Sequence, residues 1–245
     1  MRNLVLLLVV VVSLGYARAA RADACWDAVY TAQQTQQWSE ALSLCRNAAG
    51  TGEPTVQNVL GVMYYYGGGV TQDYTEAMKW FRKAAEQGYA LAQFSLGVMY
   101  ARGQGVTRDH TEAVRWYRKA VEQGNALAQT NLGLMYYHGG GVTQDYTEAV
   151  NWYRKAAEQG HATAQHNLGT MYAEGKGVPQ DFVKAHALFN MSLAQGGLLP
   201  GVTALWKLGA EQLDKVGRKM TPADISKAQQ LARECAERDY KNCGF

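Results

Sequence analysis

The four cysteines and five histidines are the side chains here with the widest chemical reach, and their spacing limits how it can be used. Cys25, Cys45, Cys235 and Cys243 contain no C-x2-C pair. His110, His138, His161, His166 and His186 contain no i, i+4 pair with a carboxylate between, so neither set has the pattern of a metal centre. The glycine clusters Gly67 to Gly69 and Gly139 to Gly141 follow helical patterns instead of a strand, and Gly175-Lys176-Gly177 runs into Val178 where a phosphate loop needs Ser or Thr. They read as turns. No Ser, His and acid set can be assembled from the sequence, and the reading is a chain without catalysis, cofactor or metal.

Oxidation is the chemistry left to the cysteines. Trp26 to Gln34 and Trp38 to Ala49 read as two short amphipathic helices around a turn near Thr35 to Gln37, which sets Cys25 and Cys45 opposite each other in an antiparallel hairpin. A bridge closing a loop of that length contributes about 3 kcal/mol in the chain-entropy account. Cys235 and Cys243 have the spacing C-x7-C across the end of the last helix, so the tail can fold back and tie itself down. Unpaired buried thiols are the alternative.

Disulfides call for an oxidising compartment, and the N-terminus supplies a route to one. Met1 and Arg2, the apolar run Leu4 to Leu14 and the small-residue tail ending at Ala24 describe a secretory signal peptide. A membrane span would need about 20 apolar residues. Cleavage is expected after Ala19, Ala22 or Ala24, the last two being favoured, with no stable span afterwards and a periplasmic or secreted product. Cleavage after Ala24 would place Cys25 first, the position of a lipid-modified cysteine. Ala22 and Asp23 fit that signal poorly, and lipidation would leave Cys45 without a partner, so a soluble exported protein is the preferred reading. The 24 Lys and Arg against 21 Asp and Glu are interleaved and give no electrostatic argument for nucleic acid.

The elements that hold these residues come from a repeat. Gly61, Gly97, Gly133 and Gly169 stand 36 residues apart, and Gly88, Gly124, Gly160 and Gly196 keep the same step. Such a period marks stacked supersecondary units. The division predicted is a signal peptide 1–24, an N-terminal capping hairpin 25–53, repeats 54–89, 90–125, 126–161 and 162–197, and C-terminal capping helices 198–245.

In the clearest copy, Ala92, Leu96 and Tyr100 recur at helical spacing, with Gly97 allowing close approach of a partner helix. Gly103 and Gly105 break that helix. Asp109 followed by Glu112 is a capping-box variant starting a second helix, repeated by Asp73 with Glu76 and Asp145 with Glu148, whereas the last copy has Asp181 with Lys184. The second helix carries the stripe Ala113, Trp116, Tyr117, Ala120. Each hairpin buries its apolar face only when stacked, so an isolated unit should not fold. Beyond Gly197, Pro200 and Gly201 open a closing section. Thr203 to Arg218 is predicted helical with Leu205, Leu208, Leu213 and Val216 on its apolar side. Thr221, Pro222 and Asp224 start a last helix, Pro222 to Glu237, that buries Ile225, Ala228, Leu231, Ala232 and Cys235.

The frame carried by Leu96, Gly97, Tyr100, Gly103, Gly105, Val106, Asp109, Ala113, Trp116, Lys119, Ala120, Gln123 and Gly124 closely resembles the Sel-1-like repeat (SLR) family, a helical relative of the tetratricopeptide repeat. The resemblance covers Pro54 to Gly197 and implies an all-α, right-handed α-solenoid, a superhelix of antiparallel helix-turn-helix units. Its usual work is protein–protein interaction, often in bacterial envelopes. By the tetratricopeptide pattern, the concave face would be lined by Thr55, Asn58, Val62, Tyr65 and Tyr66, then Leu91, Phe94, Val98, Ala101 and Arg102. The third and fourth copies give Leu127, Thr130, Leu134, Tyr137 and His138, then Thr163, His166, Thr170, Ala173 and Glu174. These are the positions where the copies differ, and the implied function is a non-enzymatic exported adaptor gripping a protein or peptide. Two alternatives stand beside it. One is a cell-envelope small-ligand binder or weak hydrolase, because some cysteine-rich SLR proteins are associated with beta-lactam or peptidoglycan-fragment binding, but they carry a cysteine pair in every repeat and the four central repeats here have none. A secreted effector acting on host proteins is the other.

Overall fold

The computed structural model describes residues 20–35, 38–50, 52–196 and 203–245, and among them the chain forms twelve α-helices and no strand. Most of the signal segment, the residues around Gln36 and the Pro200-Gly201 opening lie outside the described residues. In order the helices are α1 Ala20–Thr35, α2 Trp38–Ala49, α3 Pro54–Tyr66, α4 Tyr74–Glu86, α5 Ala90–Arg102, α6 His110–Glu122, α7 Ala126–His138, α8 Tyr146–Ala157, α9 Ala162–Glu174, α10 Phe182–Gly196, α11 Thr203–Gly217 and α12 Pro222–Glu237. The chain divides into two compact units, residues 1–123 and 124–245. In the first, α1/α2, α3/α4 and α5/α6 pack as consecutive pairs, with α2 against α3 and α4 against α5. In the second, α7/α8 and α9/α10 do the same, and α11 and α12 both pack on α10. Consecutive 36-residue helix pairs of this kind are the units of an α-solenoid.

Each pair is built the same way. The first helix ends in a left-handed glycine, as at Gly67 (φ 77°), whose N–H and that of Gly68 both reach the Met63 carbonyl at 2.9 and 2.8 Å. This closes the orphan carbonyls of the last turn. The chain then returns so that the N–H of Asp73, Asp109, Asp145 and Asp181 bonds the carbonyl of Tyr64, Tyr100, Tyr136 and Tyr172, at 2.9 to 3.0 Å. Those aspartates cap the second helix, Asp109 accepting from the Glu112 N–H at 3.0 Å. The expected capping box is therefore half made. Because the aspartate N–H is already committed to a tyrosine carbonyl, the glutamate side chain has nothing to reach back for, and it pairs forward instead, Glu76 with Lys79 at 2.9 Å and Glu112 with Arg115 at 2.7 Å. Asp181 caps equally well with Lys184 at that place, since only the Lys184 backbone N–H is used. The reciprocal box does form at Thr221 and Asp224 of α12.

Between the two helices of a pair the marker glycine faces a ring. A methyl added at Gly61, Gly97, Gly133 or Gly169 would lie within 2.5 to 2.9 Å of Phe81, Tyr117, Tyr153 or Phe189. The space the glycine opens is thus filled by an aromatic side chain of the second helix. On that helix's outer edge Lys83, Lys119 and Lys155 lie over the rings of Trp80, Trp116 and Trp152, with ammonium-to-centroid distances of 4.2 to 4.4 Å. A glutamine rung ties the pair's far end: Gln87 to Gln57, Gln123 to Gln93 and Gln159 to Gln129, at 2.8 to 2.9 Å.

A cystine stands near the start of the first unit and another at the end of the second. Cys25 and Cys45 are bonded with Cα atoms 4.7 Å apart across the α1/α2 hairpin, and both are fully buried. Cys235 and Cys243 are bonded with Cα atoms 5.2 Å apart, brought together where Asp239, Tyr240 and Asn242 take left-handed φ values and turn the tail back onto α12. In α11 the inward side runs through Gly209, Leu213 and Val216; Leu208 sits one residue off that stripe and is 44% exposed, contrary to its sequence-based placement.

Candidate functional site

In the first unit, side chains of α3 and α5 with Phe81 of α4 enclose an open cavity of about 160 Å³. Its lining is Val62, Tyr65, Tyr66, Phe81, Phe94, Ser95, Val98 and Arg102. Six of these, all but Phe81 and Ser95, belong to the set predicted from sequence. The two missed residues had a visible signal. Phe81 is the ring filling the Gly61 space, the place of Tyr117 in the next copy, and Ser95 follows Phe94 on the same helix.

The walls are mostly rings. Tyr65 meets Tyr66 edge-on with centroids 4.7 Å apart, and Tyr74 at 5.1 Å. The Tyr65 hydroxyl donates to the Gln104 side chain at 2.7 Å, fixing the turn after α5 against α3. Phe94 leans on Tyr117 with centroids 6.1 Å apart. Burial, reinforced by the neighbouring Tyr65, pushes the Tyr66 phenol up to about 12, and the Arg102 guanidinium opposes that shift. Tyr66 is therefore a neutral hydroxyl at any physiological pH. Arg102 is exposed and is the charged member of the lining. Leu91 stands half-buried at the start of α5, outside the recess.

Other predicted residues face inward. Asn58 (2% exposed), Thr130 (6%) and His166 (6%) are packed among the helices and present almost no surface. Each is the fifth residue of its helix, α3, α7 or α9. Thr130 donates to the Ala126 carbonyl at 2.8 Å and lies 2.9 Å from Nδ1 of His161. His166 stacks obliquely on Phe189, centroids 5.3 Å apart, and burial lowers its pKa.

The remaining predicted residues of the second unit gather at the ends of α7 and α9. Tyr137 meets His138 edge-on at 4.9 Å. Lys176 donates to the Tyr137 hydroxyl at 2.9 Å, pairs with Glu174 at 2.8 Å, and lies over the Tyr137 and Tyr146 rings at 5.2 and 5.6 Å. The hydrogen bond to Glu174 and then that to Tyr137 raise the lysine's pKa. Leu134 and His138 are exposed beside this cluster. It is an internally paired polar cluster where the first unit has an open aromatic recess. No group of three His, Cys, Asp or Glu able to hold a metal ion is found among the described residues, and no helix there is long and apolar enough to cross a membrane.

The repeated glycine, aspartate, tryptophan and glutamine positions are matched by the Sel1 repeat profile at residues 54–89, 90–125, 126–161, 162–197 and 202–240. This chain is a Sel1 repeat protein. The fifth matched segment includes α11 and α12, which the sequence reading takes as capping helices. Among solved structures, a Sel1 repeat protein from Oxalobacter formigenes is similar at 33% identity, over 87% of this chain and 88% of that one, with a TM-score of 0.70. Two immunity proteins from Pseudomonas aeruginosa are similar in fold at 20% and 21% identity, with TM-scores of 0.54 and 0.55, over 87% and 83% of this chain and 86% and 84% of theirs. Among curated proteins no sequence matches. Sel1 repeats generally mediate protein–protein interaction, and the scaffold is typically non-catalytic.

Proposed function

We propose that this Sel1 repeat protein is a non-catalytic adaptor of the bacterial envelope or exterior that docks a protein or peptide on the face carrying Tyr65, Tyr66, Phe94, Val98 and Arg102. The observation that carries the reading is the open aromatic recess between α3 and α5, lined by residues at positions where the copies differ. Half-buried aromatic side chains beside an exposed arginine, all carried on helices, are the groups that dominate binding energy at interfaces. Export is supported by the pattern Met1 to Ala24 and by cystines at both ends, which persist in oxidising compartments. A recess of about 160 Å³ is well below the roughly 300–1,000 Å³ of sites that enclose small molecules, so this recess is better matched to part of a larger partner.

The test compares the wild-type protein with the Tyr66→Ala, Phe94→Ala double variant in capture from an envelope fraction, with circular dichroism confirming that both fold. Bound partners are expected to fall at least ten-fold with the variant. Unchanged capture by a folded variant would place the docking surface elsewhere.

A further inference from the structure

We infer that the recess between α3 and α5 receives the C-terminal residue of a partner polypeptide, an aromatic one, with its ring among Val62, Tyr66, Phe94 and Val98 and its terminal carboxylate on Arg102. This rests on the docking reading above and names the chemistry of the occupant.

Size comes first. A cavity of about 160 Å³ matches the roughly 150 Å³ of an apolar cavity that holds one benzene molecule. Its walls are rings and valines, the surroundings in which an offset or edge-on aromatic guest gains most. A space for one ring takes only a fragment-sized group, which offers little contact by itself, so the rest of the binding surface has to come from a chain continuing out of the open side.

Charge comes second. Arg102 lines this cavity and is exposed, and no ion pair among the described residues involves it. A planar guanidinium without a carboxylate, beside an apolar slot, suits a bidentate carboxylate. Because cation and ring site share one small recess, the carboxylate and the ring belong on the same residue, which describes a chain terminus. The Tyr66 hydroxyl, kept protonated, adds a neutral donor to the same wall.

The chain also contains its own comparison. Two repeats further on, the positions of Val62, Tyr66, Phe94, Val98 and Arg102 are taken by Leu134, His138, His166, Thr170 and Glu174. There the charge is reversed, the carboxylate of Glu174 is held by Lys176, and His166 is buried against Phe189. The scaffold residues repeat across the same interval, Gly61 as Gly133, Asp73 as Asp145 and Trp80 as Trp152. The fold thus requires neither the apolar lining nor the arginine.

Isothermal titration of the purified protein with acetyl-Gly-Ser-Gly-Ser-Phe as the free acid, with the same peptide amidated at its C-terminus, with the peptide ending in Gly, and with 3-phenylpropionate tests the assignment. The free acid is expected to bind at least ten-fold more tightly than the other three. Arg102→Met is expected to weaken the free acid at least ten-fold while leaving the amide unchanged; Arg102 is exposed, so the variant should melt like wild type. Equal binding of acid and amide, an unchanged acid affinity in Arg102→Met, 3-phenylpropionate binding as tightly as the peptide, or no heat from the acid at millimolar concentration would each overturn the assignment. If it is overturned while Tyr66→Ala, Phe94→Ala still abolishes partner capture, the docking face stands and only its occupant is wrong. If both fail, neither reading survives.

Discussion

At Gly97 an added methyl would stand 2.5 Å from Cδ1 and Cε1 of Tyr117, a fully buried ring with nowhere to retreat. Gly97→Ala should therefore cost on the order of 1–3 kcal/mol, the range for overpacking a filled core, and lower the thermal midpoint measurably. Gly124 is the contrast. It has φ 76° and open space around its Cβ direction, so Gly124→Ala should cost only the left-handed backbone penalty, about 1–2 kcal/mol, with core packing undisturbed. The Gly97 requirement was readable as a fixed position but not as a contact, because the ring that fills its space lies twenty residues away and meets it only once the two helices pack. Asn58, Thr130 and His166 show the same gap from the other side: the tetratricopeptide pattern placed them on the concave face, and packing buries them.

The second helices α4, α6, α8 and α10 each begin at an aspartate whose N–H is taken by a tyrosine carbonyl and whose side chain takes the N–H three residues on. Asp109→Ala should destabilise by about 0.5–2 kcal/mol in chemical denaturation, with Asp109→Asn retaining most of the cap. Glu112→Gln should change little, since its side chain serves only a surface pair with Arg115. The start of α9 behaves differently. Its N-cap, His161, makes no side-chain cap, and burial lowers its pKa from 6.5 to about 4. The unfolded chain therefore takes up a proton first as pH falls. Stability should be complete above about pH 6.5 and decline toward pH 4, by at most roughly 1.4 kcal/mol per pH unit for this group. His166 and His186, also lowered by burial, act in the same direction. The preceding first helix, α7, starts with Asn125, whose side chain accepts from the Ala128 N–H at 2.8 Å. His161→Asn should accordingly supply a cap and flatten the pH dependence of the melting midpoint between pH 7.5 and 4.5; an unchanged slope would mean that other groups set it.

For the whole molecule, the cystines guard the two ends. Cys25–Cys45 closes a loop of 20 residues and Cys235–Cys243 one of 8, worth about 3 and 2.5 kcal/mol in the chain-entropy account. Reduction should loosen α1/α2 and the tail of α12 first, so amide exchange there should accelerate more than in α5 and α9, which carry no cysteine of their own. Equal acceleration throughout would mean that the ends and the middle unfold together. The period of 36, the turn glycines, the aspartate caps and the apolar stripes are local, so the sequence alone determined the helix pairs, their order and the cysteines at the two ends. Its α12 boundaries, Pro222 to Glu237, agree with the structure because Thr221, Pro222 and Asp224 signal the start within four residues. What only the tertiary structure decided depends on residues from different helices meeting: which glycine faces which ring, why Glu112 turns away from its cap, and which lining residues reach solvent. The recess belongs to that second kind, since α3 and α5 each read separately as apolar helices without a marked polar face, and the aromatic slot with Arg102 at its edge exists only where side chains of α3, α4 and α5 come together.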